Sequence, residues 1–346
     1  MSWFSRYLEN QSFLIGDEGM NFGTIGTSWI TSSFIDASRK ADNFTLCAIY
    51  SRSEKKAKEF SAKHASPSFY TDLEEMAKSD EIDCVYIASP NSLHFEHAIL
   101  FLKHKKHVIC EKPIFSNAKE FREAFQVAEE NGVYLFEAIR NIHSPNFKAL
   151  KDAIGKVGPI KATNLHRCRY SSKYNEFLAG GRPNVFSTEF SGGALTDLGI
   201  YPLYLAVGLF GQPNKVSYTA NVLESGVDGN GTLSLSYDSF TSTVLCSKIS
   251  TSYIPCEIQG EKGTILFNDA GTIVDLKWID NLTGQVEVID TYSLEDDMKF
   301  EINNFTRIIS SRNDKEYMEL KDLSLITLSI TEKARKQNGI IYGCEK

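Results

Sequence analysis

Positive charge is in deficit along this chain: Lys and Arg number 37 against 44 Asp and Glu, giving a net charge of −7. A protein that grips nucleic acid needs the opposite balance, so no nucleic-acid partner is expected. Long apolar runs are missing too. The longest nearly apolar one extends from Gly199 to Gly211 and contains Pro202, too short to cross a bilayer, so no membrane partner is expected. Seven cysteines are scattered without a C-x-x-C pair. Cys47, Cys84 and Cys110 lie inside apolar runs and read as small core residues, which suits a reducing, cytoplasmic location. Residues 1–19 lack a basic start followed by an apolar core, with Arg6, Glu9, Asp17 and Glu18 interrupting them, and so do not read as a secretion signal. The codons for Gly16-Asp17-Glu18-Gly19 can be purine-rich, like a bacterial ribosome-binding site. Residues 1–19 are therefore expected to be an extension outside the native structure, with Met20 as the natural start.

What is present is ordinary globular material, 42% hydrophobic and 23% charged over 346 residues, long enough for two domains with real cores. From Asn21 to about Asn146 short β-rich runs alternate with helical ones. Strands are expected at 22–26, 45–50, 68–70, 83–88, 107–111 and 133–137, with helices near 29–41, 53–64, 72–79, 92–105 and 117–131. That alternation predicts βαβ units and a doubly wound Rossmann sheet over 20–143. After Pro145 a helix leads into a strand at 160–170, a polar loop at 171–191 and an apolar helix from Gly192 to Gly211. Strand-like runs then follow from Lys215 to about Asp290 without a helical crossover. They predict a large, mostly antiparallel open sheet in an α+β domain over 144–346. Met298, Ile302, Phe305 and Ile309, then Leu323, Ile326, Ile330 and Ala334, have helical spacing. The last helix could pack back on the first domain.

The first βα turn, Gly26-Thr27-Ser28-Trp29-Ile30-Thr31, keeps one glycine of the G-x-G-x-x-G/A pattern. Ser28 is small enough to let a pyrophosphate approach the backbone N–H groups at the helix start; a plain tight turn would look the same. The second strand ends in Ser51-Arg52 where an NAD enzyme carries a carboxylate for the ribose. A hydroxyl and a guanidinium suit a 2′-phosphate instead, favouring NADP over NAD. Ser89-Pro90-Asn91 and His94 follow the fourth strand, where the nicotinamide half would pass, although Asn91 and Ser92 could simply cap a helix. His94/His97 and His104/His107 have H-x-x-H spacing on what reads as one surface helix. No third ligand cluster accompanies either pair, so no metal is expected.

Two distant stretches complete the reading: Glu111-Lys112-Pro113, and Ser191-Gly-Gly-Ala-Leu-Thr-Asp-Leu-Gly-Ile-Tyr201-Pro202. The first places Lys112 at the carboxyl edge of a strand, where ligands bind in open α/β sheets. The second places Asp197 and Tyr201 four residues apart, on one face if the segment is helical. A lysine beside a tyrosine favours phenolate and brings proton transfer towards neutral pH. Singly, each residue could be a surface lysine, a core aromatic or an ion-pair partner.

Together these residues resemble the Gfo/Idh/MocA oxidoreductases. The resemblance rests on the Gly26 turn, Ser51-Arg52, Pro90-Asn91 with His94, Glu111-Lys112-Pro113, and Gly192-Gly193-Ala194-Leu195 into Asp197-Leu198-Gly199. Tyrosine at 201 is like the glucose–fructose oxidoreductase and dimeric dihydrodiol dehydrogenase branch. That likeness implies NADP, a Lys112–Tyr201 catalytic pair with Asp197 orienting the substrate or the tyrosine, and Arg182 near the cofactor. It also implies a homodimer or homotetramer through the C-terminal sheet. The expectation is hydride transfer between nicotinamide and a secondary alcohol or carbonyl of a small-molecule sugar, polyol or diol. A non-catalytic regulator of the same fold would not need the lysine–tyrosine pair.

Overall fold

The computed structural model describes residues 19–289, 291 and 297–346, so of the expected extension only Gly19 lies among them. Apolar runs too short for helices and bounded by turn residues become the strands β1 (Met20–Ile25), β2 (Phe44–Tyr50), β3 (Ser68–Tyr70), β4 (Cys84–Ile87), β5 (His107–Glu111) and β6 (Leu135–Ala138). The helices between them are α1 (Trp29–Ser38), α2 (Glu54–His64), α3 (Leu73–Ala77), α4 (His94–Lys103) and α5 (Ala118–Asn131). The strands are all parallel, in the order β3-β2-β1-β4-β5-β6. This is the dinucleotide-binding order, whose reversal next to β1 opens a crevice at the carboxyl edge. β4 and β6 are buried at every residue, as a sheet covered on both faces requires.

Helix ends show which turns are closed by their own side chains. Asn117 accepts from the Lys119 and Glu120 N–H groups, and α5 ends on Gly132 in the left-handed region. Ser53 caps α2 and Asp72 caps α3. At α1 the Ser28 side chain makes no capping bond.

The rest of the chain forms α6 (Pro145–Ala153), β7 (Ile160–Cys168), α7 (Tyr174–Leu178), a π-helical turn at Leu195–Gly199 and α8 (Ile200–Phe210). Then come β8 (Lys215–Val222), β9 (Asp228–Ser236), β10 (Thr241–Ser247), β11 (Cys256–Gly260), β12 (Gly263–Asn268), β13 (Val274–Asp280) and β14 (Val286–Val288). Finally α9 (Met298–Ser311) and α10 (Asp314–Lys336) close the fold. The second sheet runs β14-β13-β12-β11-β7-β10-β9-β8. Its neighbours are antiparallel except β7 and β10, which lie parallel. The exception arises because the chain leaves β7 through the long loop and α8 before returning, a crossover that the strand-rich stretch 215–290 does not reveal.

One face of this sheet carries Leu165, Leu233, Leu235, Val244, Ile258, Ile265 and Phe267 into a core with α6, α8 and the end of α10. Its opposite face alternates Thr, Ser and half-buried Leu245 and Leu266. Helix α8 is buried from Ile200 to Val207, which explains why it is apolar all round. The stretch Thr188–Phe210 has the length and hydropathy of a membrane span, yet most of it is buried inside the protein. The two C-terminal helices reach back to the first sheet. Met298, Ile302, Phe305 and Ile309 join Phe22, Phe34 and Tyr86 under it, and Leu328 of α10 enters the core on its other face.

Candidate active site

At the carboxyl edge of the parallel sheet a cleft of about 540 Å³ is lined by Gly26, Thr27, Ser28, Ser51, Arg52, Ser89 and Pro90, all picked out from the sequence. Gly26 has φ +116°, and a Cβ there would lie 2.6 Å from the Ala88 carbonyl oxygen. No other residue keeps β1 this close to the end of β4. The start of α1 has no side-chain cap, which leaves its first N–H groups available to an anion. Lys56 and His97 also line the cleft. His97 Nδ1 lies 3.0 Å from Ser89 Oγ, and burial, then the nearby Arg52, lowers its pKa to about 4. Neither Arg52 nor Lys56 forms an ion pair among the described residues.

The other expected cofactor residues are not among those lining this cleft. The Trp29 side chain is 74% exposed and that of Ile30 packs against the core under the sheet; neither lines the cleft, while their backbone N–H groups are the first of α1. His94 is buried, not on a helix surface, with Nδ1 3.0 Å from Pro113 O and Nε2 2.9 Å from Ser89 O. Burial lowers its pKa to about 4, so the ring is neutral and its single N–H can donate to only one of these two carbonyls. His107 belongs to β5, not to that helix. Asn91 Nδ2 donates to Ser191 O at 3.1 Å, linking the two sheets. Glu111 is buried beneath the site, accepting from Tyr86 Oη at 2.5 Å and from the Lys112 N–H at 3.2 Å. Arg182 is exposed and lines neither the cleft nor the cluster described next.

That cluster joins the two sheets. From the end of β5, Lys112 Nζ donates to Asp197 Oδ1 at 2.8 Å and to its carbonyl at 3.0 Å. From the end of β10, Lys248 donates to the other oxygen of the same carboxylate. Burial opposes both charges of the Lys112–Asp197 pair. Even so, Asp197, Tyr201 and Glu111 raise the Lys112 pKa, and the two lysines hold Asp197 well below the carboxylate range. Lys112 Nζ lies 5.3 Å from the centroid of the buried Tyr201 ring. The guanidinium carbons of Arg167 and Arg140 lie 4.3 and 5.9 Å from the same ring. Arg167 is anchored by Asp269 at 2.6 Å and Arg140 by Asp297 at 3.1 Å.

The Asp197–Tyr201 segment is not the expected single α-helical face. Leu195–Gly199 is a π-helical turn, and Tyr201 is the second residue of the α-helix after it. Such an inserted turn rotates Asp197 relative to Tyr201, a device common at functional sites. Asp197 therefore bonds the lysines, not the tyrosine. The turn is held from below by Asp228, which accepts from the Leu195 N–H at 2.7 Å and from Tyr218 Oη at 2.6 Å. Gly193, with φ +130°, leaves room for that carboxylate: a Cβ would meet it at 2.2 Å.

Residues 20–139 match the model of an oxidoreductase family with an NAD-binding Rossmann fold, and residues 147–266 match the GFO/IDH/MocA C-terminal domain. The chain belongs to the Gfo/Idh/MocA family. Among relatives, scyllo-inositol 2-dehydrogenase (NADP(+)) IolU of Bacillus subtilis is 44% identical, over 94% of this chain and 99% of its own length. The trans-1,2-dihydrobenzene-1,2-diol dehydrogenase of Danio rerio is 26% identical, over 93% and 98%. The 3-ketoreductase KijD10 of Actinomadura kijaniata, solved with NADP and TDP-benzene, shares the fold at a TM-score of 0.81 and 21% identity, over 92% of this chain and 98% of its own. As a Gfo/Idh/MocA protein the chain is an oxidoreductase with a nicotinamide-dinucleotide-binding Rossmann domain. Lys248, Arg167 and Arg140 were not visible as site residues in the sequence. The available signal was position, since Lys248 follows a strand end and Arg140 follows β6, but lysines and arginines end many strands.

Proposed function

We propose that this protein is an NADP-dependent oxidoreductase that interconverts a secondary alcohol and its carbonyl on a cyclic polyol, sugar or diol. The observation that carries it is the convergence of Lys112 and Asp197, from opposite sheets, beside the buried Tyr201 ring. The cofactor fits the cleft: Gly26 clears the approach, α1 offers free N–H groups, and Arg52 with Lys56 supplies unpaired positive charge for a 2′-phosphate. Nicotinamide, when bound, supplies or accepts a hydride. Tyr201 exchanges a proton with the substrate oxygen. Lys112 binds that oxygen and, with Arg167 and Arg140, stabilises negative charge developing on the phenol. Asp197 orients Lys112 and offers a carboxylate oxygen to a neighbouring substrate hydroxyl.

IolU and the diol dehydrogenase carry the substrate class in their names, a cyclitol and a cyclic diol, and both support this reading. Residues 20–143 would serve as the nucleotide domain and 144–346 as the substrate and assembly domain. The Thr/Ser face of the second sheet would pair two copies as a homodimer or, by further pairing, a homotetramer. The decisive experiment mixes purified protein with NADPH and a panel of inososes, keto-sugars and diketones, following loss of reduced-nicotinamide absorbance. Turnover with a cyclic polyol ketone is expected. Absence of turnover with every carbonyl, despite NADPH binding, would favour the regulator reading. A single monomeric mass by light scattering at micromolar concentration would refute the assembly.

A further inference from the structure

Behind the Lys112–Tyr201 pair lies a buried carboxyl group that the mechanism does not use. Glu137, on β6, is almost wholly shielded from solvent. Its Oε1 accepts from the Ile114 N–H at 3.1 Å, two residues beyond Lys112. Its Oε2 accepts from the Tyr204 hydroxyl, one helical turn beyond Tyr201. Tyr204 Oη in turn lies 2.8 Å from Ser324 Oγ of α10. Three segments from both sheets and the last long helix thus meet on one carboxyl group. Each of the two catalytic residues sits within a turn of a group bonded to it.

We infer that Glu137 is a positioning residue that fixes Lys112 and Tyr201 at their mutual distance by holding the Ile114 turn and the Tyr204 helix from behind. The inference rests on the oxidoreductase reading of that pair. A rigid support of this kind matters because reacting groups lose large factors in rate when displaced by about 1 Å. The clamp is also titratable. Burial raises Glu137 to about 7, against the Tyr204, Ile114 and Ser324 bonds that favour its anion. Glu111 on β5 raises it further. Cys110 faces it from the same strand, and His143 and Lys321 line the small cavity beside it. Cys110, held protonated, and His143, held neutral by burial, add no charge near neutral pH. An ionised Glu137 accepts both bonds as charge-assisted ones, which are shorter and stronger. Protonation weakens them, so the clamp loosens as pH falls through about 7.

The test is Glu137→Gln, with Tyr204→Phe as a second variant that keeps the ring and removes only its hydroxyl. Expected for Glu137→Gln are a fall in kcat of about tenfold or more with NADPH affinity unchanged, loss of the acid limb of kcat near pH 7, and faster hydrogen exchange in peptides spanning residues 110–118. Tyr204→Phe should show a smaller fall and faster exchange in peptides spanning 198–206. An acid limb that persists in Glu137→Gln, or unchanged exchange across 110–118 in that variant, would overturn the inference. Exchange needs no turnover. If no carbonyl compound is reduced, the oxidoreductase reading falls while exchange still judges Glu137.

Discussion

The cations at the mouth of the nucleotide cleft and those around Tyr201 are organised in opposite ways. Arg52 and Lys56 are exposed and form no ion pair among the described residues. Lys112, Lys248, Arg140 and Arg167 are each locked to a carboxylate from another segment. Charge left free on a surface can meet charge brought by a ligand, and loses little while waiting because water solvates it. Charge already paired inside the protein fixes geometry and suits a neutral, hydroxyl-rich substrate. On the proposed function, the first arrangement would select the dinucleotide and the second would act on the substrate.

The comparison breaks most visibly at Tyr201. Tyr201→Phe is expected to lower turnover by about 10²–10⁴-fold, the usual worth of a positioned acid or base, with NADPH binding retained. Normal turnover in steady-state assays would make Tyr201 a packing residue. Lys112→Met should also cost orders of magnitude in kcat. The double variant should fall well short of the product of the two single losses, because Lys112 acts partly through Tyr201.

Asp197→Asn sharpens the claim that the inner cations are structural as well as chemical. It strands two buried ammonium groups, so a loss of about 3 kcal/mol in denaturant unfolding is expected, the low end for a broken buried pair because Asp197 remains 32% exposed. The sign with pH follows from its depressed pKa. Its contribution is fully present above the ordinary carboxylate range and fades as pH falls below it, so the variant should lose part of the wild type's acid sensitivity.

At the outer site, Arg52→Ala should narrow the preference for NADP(H) over NAD(H) by about 1–3 kcal/mol in binding titrations, the scale of one charge-assisted contact. Equal wild-type affinity for the two dinucleotides would sink the 2′-phosphate assignment. Salt gives the smallest effect. NADPH affinity should weaken as ionic strength rises, since exposed charges are screened, while KM for a neutral polyol ketone should barely move.

The outer site was legible because it depends on local features: a glycine turn after a strand, and the residue types at the end of the next one. The parallel sheet followed from alternation for the same reason. The inner site was half legible. Lys112, Asp197 and Tyr201 stand in recognisable strings, but Lys248 and Arg167 enter through the β7–β10 parallel pairing, which joins segments about eighty residues apart. The π-helical turn was hidden because its residues carry the same apolar spacing as an α-helix. Arg182 shows the converse: its loop lies near the glycine pair in sequence, yet the residue is exposed and does not line the cleft.

Helix α10 gives the molecule a mechanical property. At 23 residues and about 1.5 Å per residue it is roughly 34 Å long, and it is anchored in both cores: Leu328 in one, Ile330 and Ala334 in the other. It therefore acts as a strut shared by two load-bearing walls, through which stiffening of either side is transmitted. Dinucleotide bound at one wall should raise the melting temperature of the whole chain in a single calorimetric transition. Two separable transitions would show that the strut carries no load.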